Sequence, residues 1–131
     1  MADWKLSPGD WCHIDVSAGD PERARRFYGD VFGWQMEAYP GMPYIGVKTS
    51  ENGIESGIGA LDESTGLTPP RAKGVIPYIL APDMDATLAA IERAGGEVVI
   101  RTTDVMGYGD FAHFRDPDGN LIGLWRDKPG G

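Results

Sequence analysis

The first candidates for chemistry are His13 and Asp15, which are two residues apart in a short and largely apolar segment. A β-strand places residues i and i+2 on one face, so a strand here separates this polar pair from Ile14 and Val16. A carboxylate beside an imidazole orients the ring and suits it to acid–base chemistry. We therefore expect His13 and Asp15 to face a cavity as a candidate catalytic pair, with a structural or vestigial His13 as the alternative.

His113 is the second of two histidines. The segment 116–120, with the sequence DPDGN, predicts a tight hairpin turn because it combines proline, an Asx donor and glycine. If the turn pairs its first residue with its last, His113 lies opposite Gly123 and Phe111 lies opposite Trp125. A slip of one residue would turn His113 to the other face of the strand.

That register supports a second hypothesis about His113. Glycine leaves room for the imidazole ring, which could join His13 and Asp15 in a two-histidine metal site. This site is the weaker alternative to a protein without a metal centre.

Aromatic residues occur at strand or strand-edge positions in both halves of the chain, where core packing is their ordinary role. Together with glycines that supply volume, they could instead line a pocket for a flat or cationic ligand. Residues 107–110 are predicted to form a mobile loop at the rim of this pocket. The residues that we expect to line the ligand cavity are His13, Trp34, Tyr44, Gly59, Tyr78, Tyr108, Phe111, His113, Gly123 and Trp125.

The elements that position these residues form an internal repeat. A short strand, an aspartate suited to a helix N-cap, a helix and a closing glycine occur over residues 12–33 and again over 77–96. Three strand-like segments follow each helix. The pattern predicts an α+β domain over residues 1–131 made of two βαβββ modules, about 10–61 and 75–126, joined by a linker at 62–74.

Bulk composition restricts the classes of partner. The chain has 131 residues, and its 41% hydrophobic and 24% charged residues are typical of one globular domain. A net charge of −8 argues against nucleic acid, because phosphate binding needs clustered Lys and Arg. No segment has the apolar length of a membrane span, and no basic-then-apolar leader is visible, so we expect a cytoplasmic protein.

The repeat, with residues 27–34 (FYGDVFGW) and the turn at 116–120, resembles the vicinal-oxygen-chelate superfamily. That superfamily includes glyoxalases, extradiol dioxygenases, fosfomycin-resistance enzymes and bleomycin-binding proteins. The resemblance implies the glyoxalase-like fold, in which the two modules form an incomplete eight-stranded barrel around a small-molecule cavity. It also implies a homodimer.

In the catalytic members of that superfamily, the first and last strands of each module supply the ligands of one divalent metal. His13 matches the first of these positions. Tyr78 is its counterpart in the second half if the shorter turn there lacks two residues, and Gly59 and Gly123 stand where glyoxalase-like enzymes carry glutamate. We therefore predict no cofactor, with a divalent metal as the alternative.

Three functions follow from this reading. The first is a bleomycin-resistance-like protein that binds a small aromatic or cationic molecule without a full metal site. The second is an enzyme of the same superfamily, a metal-dependent or histidine-based lyase, isomerase or dioxygenase. The third is a domain that recognises a metabolite for a regulatory or biosynthetic partner. The sequence does not decide between the first two.

Overall fold

A computed structural model describes residues 6–41, 44–50, 53–59 and 75–128 of the chain. Its described residues divide into two compact units. Unit 1 extends from His13 to Val75, and unit 2 contains Leu6–Cys12 together with the chain from Ile76 onward. The predicted linker at 62–74 lies outside the described residues.

The first half of the chain has the order strand, helix and three strands. The elements are β1 (Trp11–Ser17), α1 (Pro21–Phe32), β2 (Gln35–Ala38), β3 (Tyr44–Lys48) and β4 (Glu55–Gly59). Their strands pair in the order β2-β3-β4-β1. Strand β1 runs parallel to β4, and β3 runs antiparallel to both of its neighbours.

The second half repeats this order with β5 (Val75–Leu80), α2 (Met84–Arg93), β6 (Glu97–Val105), β7 (Gly109–Arg115) and β8 (Leu121–Asp127). The strands pair in the order β5-β8-β7-β6, with β5 parallel to β8 and the other pairs antiparallel. The predicted α+β fold of two βαβββ modules is confirmed. Neither half closes its strands into a barrel.

Both helices begin at the predicted aspartate caps, and α1 ends at the predicted glycine. Helix α2 ends at Arg93 with Ala94 as its cap, and Gly95 follows in the left-handed conformation with φ at +98°. Asp20 caps α1 by accepting a hydrogen bond from the backbone N–H of Arg23 at 3.1 Å. Gly33 ends the helix in the left-handed conformation, with φ at +70°, and its N–H donates to the carbonyl of Gly29. Asp83 caps α2 in the same way through the N–H of Ala86.

Each helix covers one face of the strands in its own half. In unit 1 the buried residues Ile45, Val47 and Ile58 pack with Ala24 and Tyr28 of α1. Because strand residues alternate between faces, the neighbours of these apolar residues point to the face that α1 does not cover. That uncovered face carries the candidate polar residues of unit 1.

In unit 2 the corresponding core contains Met84 and Leu88 of α2 with Ala112 and Leu124 of the strands. The hairpin between β7 and β8 has the predicted register, with His113 opposite Gly123 and Phe111 opposite Trp125.

The turn of that hairpin is held by one side chain. Asp116 Oδ1 accepts hydrogen bonds from the N–H groups of Asp118 and Asn120 at 3.0 and 2.9 Å, and Gly119 adopts φ of +90°. The register therefore follows from local turn chemistry, as the sequence predicted.

Candidate functional site

His13 and Asp15 lie side by side on the uncovered face of β1. Their Nε2 and Oδ1 atoms are 2.7 Å apart, and the two side chains are 23% and 11% exposed. Val16, on the opposite face, packs with the helix-covered core of unit 1. The predicted arrangement of polar and apolar residues on β1 is confirmed.

Tyr44 of β3 completes a hydrogen-bonded group that we call the His13 triad: His13, Asp15 and Tyr44. The Tyr44 hydroxyl donates to Asp15 Oδ1 at 2.6 Å and lies 2.8 Å from His13 Nε2. Because a carboxylate only accepts, Nε2 of His13 carries the hydrogen that is shared between the two oxygens. His13 Nε2 is thus hydrogen-bonded within the triad, to Asp15 and Tyr44.

Two glycines and a second tyrosine, none of which the sequence analysis singled out, shape the surroundings of this triad. A Cβ built on Gly57 of β4 would lie 1.8 Å from the Tyr44 hydroxyl oxygen, so the ring crosses β4 over a position without a side chain. A Cβ on Gly46 would likewise lie 2.6 Å from Tyr39 Cε1, and Tyr39 contacts Tyr44 edge-on with ring centres 5.7 Å apart. The sequence signal for this arrangement was the glycines at positions 46 and 57, because a glycine inside a strand often marks a place where another group approaches closely.

Unit 2 contains a second tyrosine–histidine pair, which is buried. Tyr78 and His113 are 4% and 0% exposed, and the Tyr78 hydroxyl lies 2.8 Å from His113 Nε2. Phe111 packs against the His113 ring with centres 5.0 Å apart. A Cβ on Gly123 would lie 2.3 Å from two ring carbons of Tyr78, so this ring too rests on a glycine.

Strand register changes the predicted correspondence between the two halves. Asp15 pairs with Gly57, and Tyr78 pairs with Gly123. The same backbone hydrogen bond follows each pair at the end of the strands, from Ala18 N–H to the Gly59 carbonyl and from Ala81 N–H to the Trp125 carbonyl. Tyr78 therefore corresponds to Asp15 and Gly123 to Gly57. The predicted match of Tyr78 with His13 is wrong, because Asp15 and Tyr78 lie equally far before the helix caps Asp20 and Asp83. The match of Gly59 with Gly123 is wrong, because Gly57 is the residue that pairs with Asp15 as Gly123 pairs with Tyr78.

The other predicted cavity residues have separate surroundings. Trp34 packs with the helix-covered core of unit 1, stacked on Tyr28 with ring centres 4.9 Å apart, so the structure does not bring it to the triad. Gly59 accepts a backbone hydrogen bond at the end of β4. Trp125 Nε1 donates to Asp127 at 2.8 Å. Tyr108 is 52% exposed.

An ion-pair network anchors the β6–β7 turn, where a mobile loop was predicted at 107–110. Residues 109 and 110 belong to β7, and Asp110 accepts hydrogen bonds from both Lys128 and Arg126 at 2.8 Å. Those bonds, with Lys128 contributing most, hold the pKa of Asp110 below its ordinary value of 3.8 against the opposing effect of burial. Met106, in the turn, has a positive φ of 48°.

The side chains of the His13 triad are not arranged like the ligands of a divalent metal. Metal ligands converge on a common point, whereas His13 Nε2 and Asp15 Oδ1 are hydrogen-bonded to each other. Within the ranges that the structure covers, no three His, Cys, Asp or Glu side chains group as a metal site would need. His13 and Asp15 therefore do not form such a site by themselves. The two-histidine site of His13 and His113 stays a prediction.

Comparison with known proteins places the chain in a family. The sequence model of the glyoxalase/bleomycin resistance protein/dioxygenase superfamily matches residues 12–124, and the chain belongs to this superfamily. In the described part of the chain, no helix is long and apolar enough to cross a membrane.

Two relatives and one solved structure illustrate the similarity. The chain is 28% identical over 133 residues to the anthracycline biosynthesis protein DnrV of Streptomyces peucetius, covering 93% of this chain and 48% of that protein. It is 30% identical over 121 residues to a glyoxylase-like domain-containing protein of Didymella fabae, covering 82% and 85%. A superfamily member from Vibrio splendidus matches the fold with a TM-score of 0.61 and 14% identity, covering 87% of this chain and 96% of that one. The chain spans about half the length of DnrV.

Proposed function

We propose that this protein binds a small aromatic or cationic molecule at the His13 triad, without a full metal site. The carrying observation is the hydrogen bonding of His13 Nε2, which lies 2.7 Å from Asp15 and 2.8 Å from Tyr44. A histidine whose Nε2–H is shared by two oxygens is held in one orientation. Such an oriented polar group, on the sheet face that α1 does not cover, is suited to fixing a ligand.

The chemistry of the ligand is inferred from charge and from the names of relatives. The chain carries a net charge of −8, which attracts cations to its surface as a field effect. DnrV is named for anthracycline biosynthesis, and the superfamily is named in part for bleomycin resistance. Anthracyclines and bleomycins both combine aromatic rings with positive charge. These names support the aromatic or cationic class that the sequence predicts.

Calorimetric titration of the whole chain tests the proposal, with doxorubicin and metal-free bleomycin as separate probes. Binding of at least one probe with a dissociation constant that EDTA leaves unchanged is the expected result. The Tyr44→Phe variant should bind about five- to tenfold more weakly, because one hydrogen bond to the triad contributes about 1 kcal/mol. Tyr28→Phe, the same change on the helix-covered face, should bind like the natural protein.

Absence of binding by both probes would overturn the proposed ligand class. Binding that appears only with an added divalent metal would overturn the metal-free site. Equal loss of affinity in Tyr44→Phe and Tyr28→Phe would show that the triad does not contact the ligand.

The His13 triad also supports a second candidate, a histidine-based enzyme of the superfamily. An imidazole held by a carboxylate and a phenol has the composition of an acid–base group. Turnover of the hemithioacetal of methylglyoxal and glutathione, followed by ultraviolet absorbance, tests the glyoxalase-like lyase. Turnover that His13→Gln abolishes would favour this second function over the first.

The proposed assembly and location are a homodimer in the cytoplasm. Light scattering during size-exclusion chromatography tests the dimer, since a mass near 14.2 kDa would exclude it. Fractionation of cells that express the full natural protein tests the location. A signal in the membrane or secreted fraction alone would contradict it.

A further inference from the structure

The position of the Tyr44 hydroxyl depends on a strand that lies between Tyr44 and Asp15. Strand β4 separates β3 from β1, and Gly57 of β4 pairs with Asp15 on one side and Gly46 on the other. The Tyr44 ring passes over Gly57 to place its hydroxyl 2.6 Å from Asp15 Oδ1. A side chain at position 57 would occupy the path of the ring.

The predicted clash involves only the far end of the ring. A Cβ on Gly57 would lie 1.8 Å from Tyr44 Oη, 2.0 Å from Cζ and 2.7 Å from Cε2. No real Cβ tolerates such distances, yet none of these atoms belongs to the backbone. The Tyr44 side chain can swing aside, so a methyl group at position 57 should displace the hydroxyl and leave the pairing of β3, β4 and β1 intact.

Unit 2 shows that the glycine is common to both tyrosine–histidine pairs. Gly123 is the counterpart of Gly57, and the ring of Tyr78 rests on it while its hydroxyl reaches His113. In unit 1 the tyrosine comes from the third strand and the histidine from the first, and in unit 2 this assignment is reversed. The two residue types have changed strands, and the glycine beneath the tyrosine ring is present in both.

We propose that Gly57 is a positioning residue of the ligand site, acting through Tyr44. Its missing side chain admits the Tyr44 ring, which then holds its hydroxyl on Asp15 and beside His13. Tyr39 supports the ring from its edge, with planes at 85° and centres 5.7 Å apart. The claim that Gly57 matters for ligand binding rests on the proposed function. The claim that Gly57 places the Tyr44 ring rests on strand geometry alone.

Nuclear magnetic resonance of the two histidine rings tests the structural part without any ligand. The ring nitrogens of His13 in Gly57→Ala should shift from their natural positions toward those in Tyr44→Phe, while the His113 signals stay in place. Gly19→Ala is the matched control, because a Cβ at Gly19 meets nothing within 4 Å. Urea denaturation of each variant verifies that the fold persists.

Titration with the probe that binds the natural chain tests the functional part. Gly57→Ala should weaken binding about as much as Tyr44→Phe, five- to tenfold. The double variant should bind no more weakly than Tyr44→Phe alone, because residues that act through one group are not additive. Gly19→Ala should bind normally.

Unchanged His13 signals in Gly57→Ala, or an additive loss in the double variant, would overturn the positioning role. If neither doxorubicin nor bleomycin binds the natural chain, the proposed function fails. The His13 signals would still decide whether Gly57 positions Tyr44, so the two failures are distinguishable.

Discussion

Loss of the Tyr78 hydroxyl should destabilise the protein, because that hydroxyl hydrogen-bonds a histidine with no access to water. His113 is 0% exposed, Tyr78 is 4% exposed, and their polar atoms are 2.8 Å apart. Tyr78→Phe keeps the ring over Gly123 and removes one oxygen. His113 Nε2 then loses this partner in a place that bulk water does not reach.

The magnitude follows from the burial of both groups. An unmet hydrogen-bonding atom in a protein interior costs about 1–3 kcal/mol. With a urea dependence of about 2 kcal/mol per molar, this corresponds to a fall of roughly 0.5–1.5 M in the midpoint of unfolding. Urea titration followed by circular dichroism measures the shift. Tyr28→Phe, with a half-buried ring in unit 1, is the matched control and should change the midpoint little.

A double-mutant cycle with His113→Leu tests the cause. Each single change leaves one polar group of the pair behind, whereas the double variant removes both, so it should cost less than the sum of the two. Additive effects, or a Tyr78→Phe midpoint equal to that of the natural protein, would refute the reasoning that the hydrogen bond is what matters.

Two further predictions concern stability. Gly33→Ala should cost about 1 kcal/mol in thermal unfolding, because φ at position 33 is +70°, whereas Gly19→Ala should be nearly neutral. Asp110→Asn should destabilise the protein most above pH 3.8, since the pKa of Asp110 is lowered in the folded state; the stabilisation is complete above that value and lost as pH falls through the lowered pKa. Equal melting temperatures for Gly33→Ala and Gly19→Ala would contradict the first prediction. A stability loss in Asp110→Asn that grows as pH falls below 3.8 would contradict the second.

Local signals in the sequence account for what was predicted correctly. The caps at Asp20 and Gly33 set the ends of α1, and Asp116 with Gly119 sets the turn that pairs His113 with Gly123. Each of these decisions depends on residues within a few positions of one another. The alternation of β1, which places His13 beside Asp15, is equally local.

Errors arose where the sequence had to be compared across strands. Gly59 was matched with Gly123, whereas the parallel pairing of β1 with β4 and of β5 with β8 makes Gly57 the counterpart of Gly123. Trp34, which was predicted to line the cavity, stacks on Tyr28 of α1. Trp34 precedes β2, so strand alternation does not fix the side of the sheet on which its ring packs. The position of α1 decides it.

The sequence by itself determined the two βαβββ modules, the helix limits, the last hairpin and the pairing of His13 with Asp15. Only the tertiary structure decided that Tyr44 crosses over Gly57 to complete the triad, 29 residues along the chain from Asp15. The physical reason is the range of the interactions. Caps, turns and strand alternation act between near neighbours, while strand register and ring packing are set by many contacts between distant parts of the chain.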